Sequence, residues 1–169
     1  PRDRRMIELL VYSGGRVSEV LAACVGDIAP HGLRLKNLKC KDKRATKTTV
    51  LPTEFMERLR QDFAGAPDNW PLVPHLDDPT VSLKRQMVHR IFSRTSLRAG
   101  IYKRRHPDEP FRPAWTHTAR HTCAERLVAM GVPITVVADQ LGHRNLKNTQ
   151  LYARIADPKR VAMIEGAWA

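Results

Sequence analysis

The sequence predicts a mainly α-helical domain with one small antiparallel β-sheet, an α+β fold. Three observations carry that prediction. Apolar residues recur at helical spacing in most segments, while the stretch between Asp27 and Pro52 switches to strand-like patterning. Pro- and Gly-rich clusters separate these segments, as turns and loops require. At 169 residues the chain can bury one full core and is read as a single domain over 1–169, with no internal repeat or low-complexity segment.

Taken in order, residues 2–12 place Met6, Leu9 and Leu10 on one helix face, and Ser13-Gly14-Gly15 ends that helix. A short helix from Arg16 to about residue 23 follows, with Val17, Val20 and Leu21 as its buried stripe. Arg16 thus opens a helix just after a glycine pair, where outward backbone N–H groups can join its guanidinium in holding an anion. From Asp27 the pattern is strand. Leu33, Leu35 and the TTVL run at 48–51 bracket the basic segment KNLKCKDKRATK, which reads as a β-hairpin turning at Asp42. Lys36, Lys39, Lys41, Lys43, Arg44 and Lys47 line its tip and strand ends, and a ribbon of that charge is shaped to enter a DNA groove. In an extended strand Lys39, Lys41 and Lys43 point the same way.

Pro52-Thr53 opens a helix to about Phe63, capped by Thr53, with Phe55, Met56, Leu59 and Phe63 inward. Residues 64–80 form a loop, too short and too apolar at Trp70, Leu72 and Val73 to link domains. The next helix runs from Ser82 to Ala99, with Met87, Ile91 and Leu97 inward, and Gly100 ends it. A basic loop at 103–113 leads to Thr116, read as the cap of a helix over 117–130 that stops at Gly131. Pro133 sits in the first turn of another helix that ends near Gly142. Residues 143–145 are a turn, a short helix over 146–154 carries Tyr152, and a tail helix occupies 156–169.

Lys and Arg total 29 against 17 Asp and Glu, a formal net charge of +12 spread along the chain. A polyanion, nucleic acid first, is the partner that charge fits. No apolar run approaches the roughly 20 residues of a membrane span. Cys24, Cys40 and Cys123 form neither a CxxC pair nor an even set, so neither a disulfide framework nor a thiolate metal site is expected, and a reducing cytoplasm suits them. The chain opens at Pro1 rather than Met and moves at once into an amphipathic segment, which reads as a piece of a longer protein.

Between Trp115 and Ile155 stand His117, Arg120, His121, His143 and Tyr152, none of which the core needs, because Leu127, Val128, Val132, Val136, Val137 and Leu141 can pack without them. Two arginines make a clamp for a phosphate and can neutralise charge growing on its oxygens. Histidine and lysine can move protons near neutral pH. Tyrosine is a poor nucleophile at its ordinary pKa near 10, but a cationic pocket favours phenolate. With a basic surface added, the set predicts attack by tyrosine on a DNA phosphodiester.

Four segments resemble the catalytic domain of the tyrosine recombinases, the phage integrase family. YSGGRVSEV at 12–20 is similar to the first arginine box, HTARH at 117–121 to the His-x-x-Arg-His box, and LGH at 141–143 followed by Tyr152 to the Leu-Gly-His box and its nucleophile. The basic hairpin at 36–47 stands where the family carries its catalytic lysine. Each box alone is weak; four in order over nearly the whole chain are a strong signal. Ala119 stands where the family usually has leucine, a packing change. The hairpin is also longer than usual before Pro52, so counting from the first strand selects Lys39, then Lys41, whereas counting back from Pro52 selects Lys43.

The resemblance implies the tyrosine recombinase catalytic fold and a site of Arg16, Lys39, His117, Arg120, His143 and the nucleophile Tyr152, supported by Glu19 and His121. Lys36, Lys41, Lys43, Arg44 and Lys47 would touch DNA. It implies a 3′-phosphotyrosyl intermediate, strand exchange through a Holliday junction in a synaptic tetramer on double-stranded DNA, and no need for ATP, metal or other cofactor. The isolated domain could be a monomer, with a nucleoid-associated, cytoplasmic location and an N-terminal DNA-clamping domain elsewhere in the protein. The apolar tail (Val161, Met163, Ile164, Trp168) is expected to dock on a neighbouring subunit or back on its own domain. A type IB topoisomerase would share the chemistry, though the LGH box and short tail favour a recombinase. A metallohydrolase using His117, His121 and His143 lacks a carboxylate base between the first two and would set Arg120 beside its metal. A purely DNA-binding module leaves the catalytic set unexplained.

Overall fold

The computed structural model describes residues 2–36, 46–103, 108, 110–143, 149 and 150. Its elements are α1 (Arg2–Ser13), α2 (Val17–Leu21), a 3₁₀ turn (Val25–Asp27), β1 (Ile28–Ala29), β2 (Gly32–Lys36), β3 (Thr46–Val50), α3 (Thr53–Asp62), α4 (Arg85–Arg98), β4 (Tyr102–Lys103), β5 (Arg112–Pro113), α5 (Thr116–Ala129) and α6 (Ile134–Leu141). The mainly helical α+β fold is therefore observed. The hairpin tip, with Lys39, Lys41, Lys43 and Arg44, lies outside the described residues, as do Tyr152 and the tail helix.

The larger core gathers Met6, Leu9 and Leu10 of α1, Val17 and Val20 of α2, Leu33 and Leu35 of β2, and Phe55, Met56 and Leu59 of α3. Each set has the spacing that periodicity predicts for one buried face. A smaller cluster joins α5 to α6 through Cys123, Ala124, Val137 and Leu141. Helix α5 belongs to both clusters, because Ala119 packs into the larger one and Cys123 into the smaller. It also lies against α1 and α4, while α6 lies against β3. That arrangement brings the start of α2, the body of α5 and the end of α6 together.

Three readings of the sequence change. Helix α4 starts at Arg85 rather than Ser82 and buries Val88, Ile91, Phe92 and Ser96, leaving Met87 and Leu97 exposed. The preceding residues are held in extended form instead: Leu83 donates to the Val73 carbonyl at 2.8 Å and Ser82 bridges to Pro74. The ends of the basic loop at 103–113 are joined by a two-stranded sheet, in which Tyr102 pairs with Pro113 and Lys103 with Arg112. Pro52 and Trp115, rather than Thr53 and Thr116, are the N-caps of α3 and α5, and Pro133 is the N-cap of α6 rather than part of its first turn. The Thr116 hydroxyl is used elsewhere, against His89 Nδ1 at 3.0 Å.

The sheet has order β1-β2-β3 and is antiparallel, with Leu33 opposite Thr49 and Leu35 opposite Lys47. Directly opposed residues share a face. Lys47 and Thr49 therefore lie on the buried side with Leu33 and Leu35, and Lys36 lies on the exposed side opposite Thr46.

Candidate active site

Gly14 and Gly15 turn the chain from α1 into α2, with Gly14 at φ 57, a left-handed conformation that glycine adopts without strain. Arg16 is the N-cap residue of α2, and Glu19, one turn on, is completely buried. The Glu19 carboxylate accepts from the Arg16 guanidinium at 2.6 Å and from the Arg16 backbone N–H at 3.1 Å. That backbone N–H is thus already used, and Arg16 offers an anion its side chain alone. Burial pushes the Glu19 carboxyl up, but Lys47, and then the hydrogen bonds and charge of Arg16, outweigh it and hold it below the ordinary value.

Arg120 is buried on the inner face of α5. Its guanidinium donates to the Gly14 carbonyl at 2.7 Å and to the Leu141 carbonyl at 2.9 Å, joining the α1–α2 turn to the end of α6. The planar fork of an arginine serves two acceptors at fixed angles. Helix α6 ends at Gly142, whose φ of 68 makes it a left-handed cap and redirects the chain at His143. His143 Nδ1 stands 2.9 Å from the hydroxyl of Thr149, which is fully buried, and this fixes the ring. His117 and His121 lie on the exposed side of α5, one turn before and one residue after Arg120.

The structure therefore brings together Arg16, Glu19, Arg120 and His143 from the predicted set and adds Lys47. The Lys47 ammonium stands 3.3 Å from Glu19 Oε2 and donates to the Leu141 carbonyl at 2.7 Å, with a side chain only 9% exposed. A groove-contacting role on the outer face of the hairpin does not fit that placement. In β3, Lys47 and Thr49 alternate with Thr48 and Val50, and Thr49 faces inward. Thr149 was missed as well, although it lies three residues before Tyr152 in a segment read as helix.

Electrostatically, Arg16 and Lys47 face the Glu19 carboxylate, and the Arg120 guanidinium adds its charge beside Lys47. Burial first, then Arg120, Arg16, Lys47 and His121, push the His143 imidazole down to about 4, so it is neutral at pH 7. Burial likewise pulls the Lys47 ammonium down to about 8, opposed by Glu19 and assisted by Arg120 and Arg16. An excess of positive charge in a confined site seeks an anion. Among the described residues no three His, Cys, Asp or Glu side chains are grouped to hold a metal ion.

A stability prediction follows from His143. Its folded pKa lies below the unfolded value, so the unfolded chain binds more protons and stability falls as pH drops from about 6.5 toward 4. Glu19 contributes in the same direction at lower pH, and His89, lowered by burial and by Arg85, shares the His143 window. Urea unfolding at pH 7 and pH 5 is expected to show the loss, and His143→Gln is expected to remove part of it. An equal pH dependence in that variant would refute the assignment to His143.

The fold and the pocket together define a class: a helical domain with an anion-seeking site built at the junction of its second, fifth and sixth helices. The chain belongs to the phage integrase family, whose model matches residues 1–159. It is 32% identical over 161 residues to a tyrosine recombinase of Pseudothermotoga lettingae, covering 94% of this chain and 51% of that protein. The chain spans about half the length of this and other tyrosine recombinases it matches. Among solved structures, the XerH site-specific recombinase bound to palindromic difH substrate, in a post-cleavage complex, superposes with a TM-score of 0.72 at 19% identity, covering 99% of this chain and 46% of that one. The catalytic domain of bacteriophage HP1 integrase superposes with a TM-score of 0.63 at 19% identity, covering 95% of this chain and 79% of that one. The tyrosine recombinase catalytic-domain fold is thus shared. No helix among the described residues is long and apolar enough to cross a membrane.

Proposed function

We propose that this domain cleaves and rejoins DNA strands at specific sites by transesterification, with Tyr152 as nucleophile. The observation that carries the reading is the convergence of Arg16, Arg120 and neutral His143 on one cation-rich pocket, at the positions where the family motifs lie. Tyr152 Oη attacks the phosphorus and loses its proton, with His117 assisting the transfer. A 3′-phosphotyrosyl bond forms as the bond to the 5′-oxygen breaks, and a hairpin lysine, Lys39 first among the candidates, gives that oxygen a proton. The two guanidinium groups and a ring N–H of His143 stabilise charge on the non-bridging oxygens. With Thr149 accepted at Nδ1, Nε2 is the nitrogen left for a phosphate oxygen.

The reverse attack by a 5′-hydroxyl from another strand restores the phosphodiester. Bond energy is retained, so neither a nucleotide cofactor nor a metal is required. Strand exchange in a synaptic tetramer through a Holliday junction, with a separate DNA-clamping domain, completes the proposal. The tail over 156–169 would dock on a neighbouring subunit. A groove of about 590 Å³ beside Val50, Met130 and Val136, all exposed, supports a surface that an apolar segment could cover.

The test is a suicide substrate: a duplex bearing a candidate site with a nick beside the scissile phosphate, so that the short leaving strand diffuses away. The expected product is a protein–DNA adduct whose peptide maps to Tyr152 by mass spectrometry. An adduct on another residue would reject the mechanism. Relaxation of supercoiled plasmid without site dependence would favour the topoisomerase reading instead.

A further inference from the structure

Lys47 is a buried cation among cations, and its contacts explain why it is there. Its stem passes over Gly142, where an added Cβ would come within 2.6 Å of Lys47 Cδ. Its ammonium bridges the Glu19 carboxylate and the Leu141 carbonyl. The same carboxylate holds Arg16, and the same carbonyl accepts from Arg120. The other arm of Arg120 reaches Gly14, two residues before Arg16 in the chain. The contacts close into a ring: Arg16, Glu19, Lys47, the Leu141 carbonyl, Arg120, the Gly14 carbonyl, and back to Arg16 along the backbone.

We propose that Lys47 is a positioning residue for phosphate cleavage: by joining the carboxylate that orients Arg16 to the carbonyl that orients Arg120, it sets the spacing of the two guanidinium groups. The proposal rests on the recombinase reading and adds to it a residue that does not itself meet the phosphate. Stability does not explain Lys47. Taking an ammonium out of water is unfavourable, and Arg16 and Arg120 stand near it, so the Glu19 carboxylate and the Leu141 carbonyl work against both burial and like charge. Without Lys47, Glu19 retains Arg16 and the Leu141 carbonyl retains Arg120, so neither partner is orphaned. What is lost is the link between them.

The test uses Lys47→Met, which keeps the buried stem, and Lys47→Gln as a second neutral variant, in single-turnover cleavage of the suicide substrate. The expected result is a melting temperature equal to or above that of the parent and DNA affinity within about threefold of it, since phosphate contacts elsewhere supply the affinity. Cleavage is expected to fall about 10²-fold, the scale of a displacement of about 1 Å at a reacting centre. The parent rate is expected to fall above about pH 8 as the ammonium facing Glu19, Arg16, Arg120 and His143 loses its proton, and this limb is expected to vanish in both variants. A substrate with sulfur in place of the bridging 5′-oxygen separates positioning from proton donation, because a thiolate leaves without a proton. Persistence of the deficit on that substrate supports positioning; its rescue would make Lys47 the proton donor and overturn the proposal. An unchanged rate, or a melting temperature lowered enough to mark a structural role, would overturn it too. If the parent forms no Tyr152 adduct, the recombinase reading fails first and the proposal falls with it.

Discussion

Tyr152→Phe is expected to abolish covalent attachment to the suicide substrate, a loss of at least about 10³-fold on the scale of removing an enzyme nucleophile, while duplex affinity stays within about threefold. The two outcomes separate because they draw on different parts of the chain. Affinity comes from the net charge of +12 and the phosphates it neutralises. Phenylalanine leaves that charge, and hence the salt dependence of binding, unchanged. The chemistry needs an oxygen that can lose a proton among cations, and phenylalanine has none. A gel-shift titration at two salt concentrations beside a denaturing gel of the cleavage reaction reads both quantities. A covalent adduct of parental yield in the variant would remove Tyr152 from the mechanism and leave the proposed phosphate site in search of another nucleophile.

Parts of this site were legible in the sequence for a physical reason. Glycine punctuation located the elements that carry Arg16 and His143, and helical periodicity the one that carries Arg120, while the roles of these residues and of Glu19 were what the resemblance to the family's boxes implied. Gly14-Gly15 marks the α1–α2 turn and Gly142 the end of α6. The inward face of Lys47 was not legible in the same way. Its direction depends on strand register, which is fixed by pairing Leu35 with Lys47 across a long connection. Counting from either end of the hairpin selects different lysines and gives no unique parity. The α4 face was misread for a related reason. Met87 and Leu97 are apolar enough to define a stripe, but the extended pairing of Leu83 with Val73 shifts the buried stripe to Val88, Ile91 and Phe92. What also escaped the sequence is that Arg120 is a structural bridge as well as a phosphate ligand candidate, since the Gly14 and Leu141 acceptors are backbone carbonyls, which every residue carries.

That double role makes Arg120→Ala the second decisive substitution. Its stability cost is limited by the surroundings: the Leu141 carbonyl keeps its bond from Lys47, while the Gly14 carbonyl loses the guanidinium. One buried acceptor left unpaired costs about 1–3 kcal/mol. Removing a cation beside Lys47 and His143 relieves repulsion and offsets part of that cost. Cleavage is expected to fall about 10²–10³-fold, the scale of losing one preorganised donor to a developing oxyanion. The gap between the two numbers is the argument. A domain with about 5 kcal/mol or more of stability remains almost wholly folded after a loss of about 2 kcal/mol, so unfolding cannot account for a rate loss of that size. Arg120→Lys keeps the charge but offers one nitrogen where the guanidinium serves the Gly14 and Leu141 carbonyls, so it is expected to recover part of the stability and little of the rate. Urea unfolding paired with single-turnover cleavage tests both variants. Full activity in the lysine variant would mean that charge alone suffices and that the geometry of the fork, set by Gly14 and Leu141, is not what the site uses.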